Sequence, residues 1–85
     1  MEIKIICEIA RLNTVKDAYK QSYMSNLEFL EEKLDRINSQ IDRTTSELKM
    51  EILKKQKGYY ETEITKLDET MEMTIKDIDN KLAKL

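Results

Sequence analysis

Proline, histidine and tryptophan are absent from these 85 residues, and glycine and cysteine occur once each. Each shortage removes a class of function. Without histidine there is no imidazole base, no Ser-His or Cys-His nucleophile pair and no ordinary zinc site. Cys7 alone cannot close an intrachain disulfide, which excludes a disulfide-stapled secreted scaffold. One glycine and no proline leave nothing from which to build a phosphate-cradling loop or a many-turned β fold. Long apolar runs are missing too. The longest, Ile5-Ile6-Cys7, stops at Glu8, far short of the roughly 20 residues of a membrane span. Glu8 also interrupts a signal-peptide core, and Ile6 is too bulky for a lipoprotein cleavage site. The expectation is a soluble, cytoplasmic chain with no membrane contact, no cofactor, no metal and no catalytic residues.

What is present is helix-forming. Charged residues make up 38% of the chain and hydrophobic ones 40%, with 15 Lys and Arg against 17 Asp and Glu, for a net charge of −2. Such a mixture of Glu, Lys, Leu and Ile predicts an all-α fold. Leu27, Leu30, Leu34, Ile37, Ile41 and Leu48 follow a 3-4 spacing with Thr44 at the polar step, the mark of a coiled-coil seam. Ser25 and Glu28 suit a capping box at its start, with Met24 and Phe29 as a staple. Lys54, Lys55 and Lys57 followed by Gly58 suit its end, since cations favour a helix C-terminus and glycine the left-handed cap.

A second seam runs through Ile64, Leu67, Met71, Ile75, Ile78, Leu82 and Leu85. A reversal at Gly58 would pair residues whose numbers have a constant sum: Ile41 with Ile75 gives 116 and Leu48 with Leu67 gives 115. One long helix, bridged by a stutter through Ile52, Gln56 and Tyr60, is the competing possibility. At the N-terminus, Ile3, Ile5, Cys7 and Ile9 alternate with polar residues as in a strand, whereas Ile5, Ile9, Leu12, Val15 and Tyr19 form a helical stripe. The helical stripe also pairs with the middle segment, Leu12 with Leu34 and Ile9 with Ile37 both giving 46.

These patterns predict one domain, an up-down-up antiparallel bundle with helices about 2–20, 25–57 and 60–85, or a strand in place of the first helix. Its expected core is Ile5, Ile9, Leu12, Leu27, Leu30, Leu34, Ile37, Ile41, Met71, Ile75, Ile78 and Leu82, with Cys7 as a further small buried residue. A two-helix tip over about 44–72 would project beyond the first helix. Small cores supply only about 3–5 kcal/mol, so this tip is expected to need a partner, through Leu48, Ile52, Leu53, Tyr59, Tyr60, Ile64 and Leu67.

Other clusters have plainer readings. Asp77, Asp79 and Asn80 lack the glycine and the final Glu of a calcium loop, and Asp77 instead suits Lys81 four residues on. Glu28, Glu31, Glu32 and Asp35 read as helix-start charges. The function expected is a non-enzymatic protein–protein interaction module, a coiled-coil adaptor or oligomeric subunit with a protein partner or a second copy. Alternatives are a small inhibitor, such as a virus-encoded antagonist of a host protein, and a nucleic-acid accessory using Lys54–Tyr60. Nucleic acid is disfavoured by the acidic balance.

Overall fold

The computed structural model describes residues 2–85 and contains two helices joined by three residues. Helix α1 runs Ile3–Arg43 and helix α2 runs Glu47–Ala83, 41 and 37 residues long. At about 1.5 Å per residue α1 spans about 61 Å, which accounts for a rod of 67 × 16 × 11 Å. The helices lie against each other as an antiparallel hairpin. No proline or glycine interrupts α1, so nothing local stops it before the threonines.

The reversal is built from Thr44, Thr45 and Ser46. Two β-branched residues in succession and a serine are poor helix interior but good cap chemistry. The Thr44 N–H still donates to the Gln40 carbonyl at 3.0 Å, while its backbone has turned extended (φ −84°, ψ 139°). Ser46 is extended as well and caps α2, its Oγ accepting from the Lys49 N–H at 3.4 Å. Glu47 places a carboxylate in the first turn of α2 and Arg43 a cation in the last turn of α1, each matched to its end of the helix dipole.

The two helices share one apolar seam. On α1 it follows Ile5, Ile9, Leu12, Tyr23, Leu27, Leu30, Leu34, Ile37 and Ile41; on α2, Met50, Leu53, Tyr60, Ile64, Leu67, Met71, Ile75, Ile78 and Leu82. Leu12, Ile37 and Ile78 are buried and the others half-buried. Two polar bonds pin the register. Lys16 Nζ meets Asp79 Oδ1 at 2.6 Å, and the Tyr23 hydroxyl donates to the Asp68 carboxylate. Their residue numbers sum to 95 and 91, close to twice the loop centre at Thr45.

This geometry corrects several expectations. There are two helices, not three with ends at about 20, 25, 57 and 60, and no strand forms among the described residues. Residues 3–9 open α1 as helix. Ser25–Glu28 is not a cap, because it lies inside α1, and Met24 and Phe29 are exposed rather than stapled. Leu12 with Leu34 and Ile9 with Ile37 cannot face each other, since all four belong to one straight helix. Gly58 makes no turn: it sits inside α2, and no described residue has a positive φ. The seam crosses this region by the steps Leu53, Lys57, Tyr60 and Ile64, regular 4-3-4 spacing that a lysine stem can occupy. No separate tip over 44–72 projects, because α1 accompanies α2 along the hairpin. Cys7 is exposed, not buried, because two residues from both Ile5 and Ile9 it falls on the side of α1 turned away from the seam.

A glycine in mid-helix carries a cost. A Cβ at Gly58 would meet nothing within 4 Å. Gly58→Ala is therefore expected to stabilise the hairpin by about 1 kcal/mol in urea unfolding. A clear loss of stability would contradict the continuous helix and restore a turn at this position.

Candidate partner-docking groove

The hairpin's two long faces differ. On one, the space between the helices opens as a shallow groove running from the loop to the middle of the rod. Near the loop it is lined by Gln40, Arg43, Thr44, Lys49, Ile52, Leu53 and Gln56. It continues past Lys33, Arg36, Ile37, Lys55, Tyr59 and Tyr60. Farther on come Asn26, Phe29, Leu30, Glu63, Lys66, Leu67 and Thr70. Helix periodicity produces this alignment. On α1 the positions 26, 29, 33, 36, 40 and 43, and on α2 the positions 49, 52, 56, 59, 63, 66 and 70, advance by three and four and so share one side.

Chemically the groove is apolar at its floor and cationic at its rim. Leu30, Ile37, Leu53, Tyr60 and Leu67 supply the floor from the seam, and Phe29, Ile52 and Tyr59 rise from the walls, 56%, 51% and 61% exposed. Tyr59 and Tyr60 meet edge to face with centroids 5.3 Å apart, and the Lys33 ammonium lies 5.3 Å from the centre of the Phe29 ring. The rim carries six cations, Lys33, Arg36, Arg43, Lys49, Lys55 and Lys66, against one carboxylate, Glu63. Arg36 is paired with Glu32 on the outer flank of α1 at 2.7 Å, and Lys66 stands 3.8 Å from Glu63.

The opposite face is acidic. Glu28, Glu31 and Asp42 on α1 and Glu47, Glu51, Glu61, Asp68 and Glu72 on α2 fall on it by the same spacing, interrupted by Lys54. Among the described residues its large exposed hydrophobic residues are Met24 and, about five turns nearer the open end of the hairpin, Ile6. The crowding shows in Tyr23. Donation to the Asp68 carboxylate, partial desolvation, and the charges of Asp68, Glu31 and Glu72 together hold its phenol above the ordinary tyrosine range. At the open end of the hairpin Arg11 grips Glu8 and lowers its carboxyl, with Lys81 of α2 contributing from across the seam.

The residues anticipated from sequence divide accordingly. All of the expected core, from Ile5 to Leu82, is buried or half-buried along the one seam. Of the expected interface, Leu53, Tyr60, Ile64 and Leu67 face the seam, and Ile52 and Tyr59 wall the groove. Leu48 is exposed at the start of α2 beside neither. From the Lys54–Tyr60 cluster the groove takes Lys55, Gln56, Tyr59 and Tyr60, while Lys57 points along the seam toward Glu61 at 4.0 Å and Lys54 lies on the acidic face. Asp77 pairs with Lys81 at 3.3 Å and Asp79 with Lys16. No group of three or more acidic or thiol side chains able to hold a metal ion occurs among the described residues, and no described helix is long and apolar enough to cross a membrane. Missed from sequence were Phe29, Lys33, Arg36 and Arg43, whose 3-4 spacing along α1 was the available signal.

The Tyr23–Asp68 bond has a pH consequence. The fold favours the neutral phenol, so its contribution is fully present below the unfolded tyrosine pKa of about 10 and is lost as pH rises through the higher folded value. Helix melting followed by circular dichroism should show a fall in stability on the alkaline side that is shallower in Tyr23→Phe. Identical alkaline profiles would contradict the bond.

No protein family, characterised protein or solved structure matches this chain, so the groove and the two contrasting faces carry the functional reading.

Proposed function

We propose that this chain is a non-enzymatic protein–protein interaction module that works by docking a helix of another polypeptide along the groove. The observation that carries the reading is the one-sided exposure of Phe29, Ile52 and Tyr59 between the two helices. Two helices cannot enclose a core, and a third laid over such a groove covers the half-buried seam as well as the walls. Buried apolar surface stabilises by about 25 cal/mol per Å², so docking here adds to both binding and fold. Adaptor, oligomeric subunit and inhibitor are all uses of this one surface.

A second reading, nucleic-acid binding, is favoured by the cationic rim and Tyr59, since phosphate contacts and base stacking use the same residue types. It is the weaker one. The basic rim is short, the opposite face is acidic, and the chain's net charge is −2.

Site-specific photo-crosslinking in the native host separates the possibilities. A photoreactive phenylalanine at Tyr59 is expected to capture a discrete protein, and the same group at Glu51 on the acidic face is not. Ile52→Asp, at an exposed helical position, should abolish the Tyr59 crosslink while leaving helix content close to unchanged. Equal capture from both positions, or capture of nucleic acid alone from Tyr59, would remove the reading.

A further inference from the structure

We infer that the occupant of the groove is an acidic amphipathic helix of a partner protein, with apolar residues on one stripe and Asp or Glu on both flanks of that stripe. The inference rests on the docking function proposed above and adds the partner's chemistry. Shape supplies the first half of the argument. Ile52 and Tyr59 are seven residues apart and Phe29 projects from the facing helix, so the walls repeat at the spacing of a coiled-coil partner. A helix presenting apolar residues at i, i+3, i+4 and i+7 fits between them.

Charge supplies the second half. Lys33 and Arg36 on one bank and Lys49 and Lys55 on the other leave a row of cations on both sides of the apolar floor, and among the described residues neither Lys49 nor Lys55 has an ion-pair partner. A lysine-rich helix would meet like charge along its whole length, and a carboxylate-flanked one would meet opposite charge. The same logic disfavours a second copy. Two grooves face to face oppose two cationic rims, and among the described residues the acidic face of a second copy offers as large exposed apolar side chains only Met24 and Ile6, about five turns apart and too widely spaced to fill the floor. A duplex or single strand finds phosphate partners on the rim but only a short basic track, flanked by Glu32, Asp35 and Glu63.

The test uses the full chain and two synthetic helical peptides with identical leucine stripes, one flanked by Glu and the other by Lys, together with a single-stranded oligonucleotide, each followed by fluorescence anisotropy. The Glu peptide should bind at least about tenfold more tightly than the Lys peptide and weaken by about tenfold or more as salt rises. In the double variant Lys49→Glu/Lys55→Glu, both exposed sites on α2, the preference between peptides should narrow or reverse with helix content retained. Equal binding of the two peptides, or binding of neither, would overturn the acidic-partner inference; the crosslink from Tyr59 would still stand if the docking function holds. Oligonucleotide binding tighter than the Glu peptide, lost in the double variant, would overturn both. A concentration-dependent dimer that Ile52→Asp dissociates would assign the groove to a second copy and overturn the inference.

Discussion

Apolar contact between α1 and α2 is the interaction on which the rest of the molecule depends, because neither helix has any other surface to lean on. Isolated helices in water draw little stability from propensity alone, and most helical stability in proteins comes from packing an amphipathic face. Here that face is a single stripe running from Ile5 to Ile41 on one side and from Met50 to Leu82 on the other, with Lys16 and Lys57 at interior polar steps. Two cylinders in contact shield only the line between them. Leu12, Ile37 and Ile78 are nevertheless buried, and the remaining stripe residues are half-covered. Polar contacts across the seam contribute less energy than register. Lys16–Asp79 and Tyr23–Asp68 can form only when the two stripes are aligned about the Thr44–Ser46 reversal.

The same alignment sorts charge. Rotating either helix about its axis would mix acidic and basic flanks, but with the two stripes facing each other cations collect beside the groove and carboxylates on the opposite face. The side with apolar walls is also the side with the cationic rim. Coincidence of open apolar surface with charge of one sign is what a docking surface needs, the first for contact area and the second for choosing among partners.

Much of the seam was legible from spacing alone, since Leu27 to Ile41 and Ile64 to Leu82 repeat at coiled-coil intervals whatever the topology. The reversal was not. Lys54, Lys55, Lys57 and Gly58 imitate a helix end, and Lys57 disguises the seam by placing an ammonium at an interior step. Thr44-Thr45-Ser46 turns the chain without glycine or proline, through a serine cap that resembles the unused Ser25 and Glu28 pair. Constant-sum pairing could not arbitrate, because two stripes of equal period match again at every shift of one turn. The groove suffered from the same error. Ile52, Tyr59 and Tyr60 were recognisable as exposed or aromatic positions, but Phe29, Lys33 and Arg36 join them only once α1 is known to lie alongside.

One distance tests the reversal most directly. Nitroxide labels at Glu31→Cys and Lys84→Cys, in a Cys7→Ser background, report it by pulsed dipolar spectroscopy. In the hairpin, residue 31 lies opposite residue 59, and the 25 positions from there to Lys84 place the labels near 40 Å at about 1.5 Å per residue. A separation under about 20 Å would mean a reversal at Gly58, and one near 80 Å an unbroken helix between the labels; either would contradict the fold and, with it, the groove.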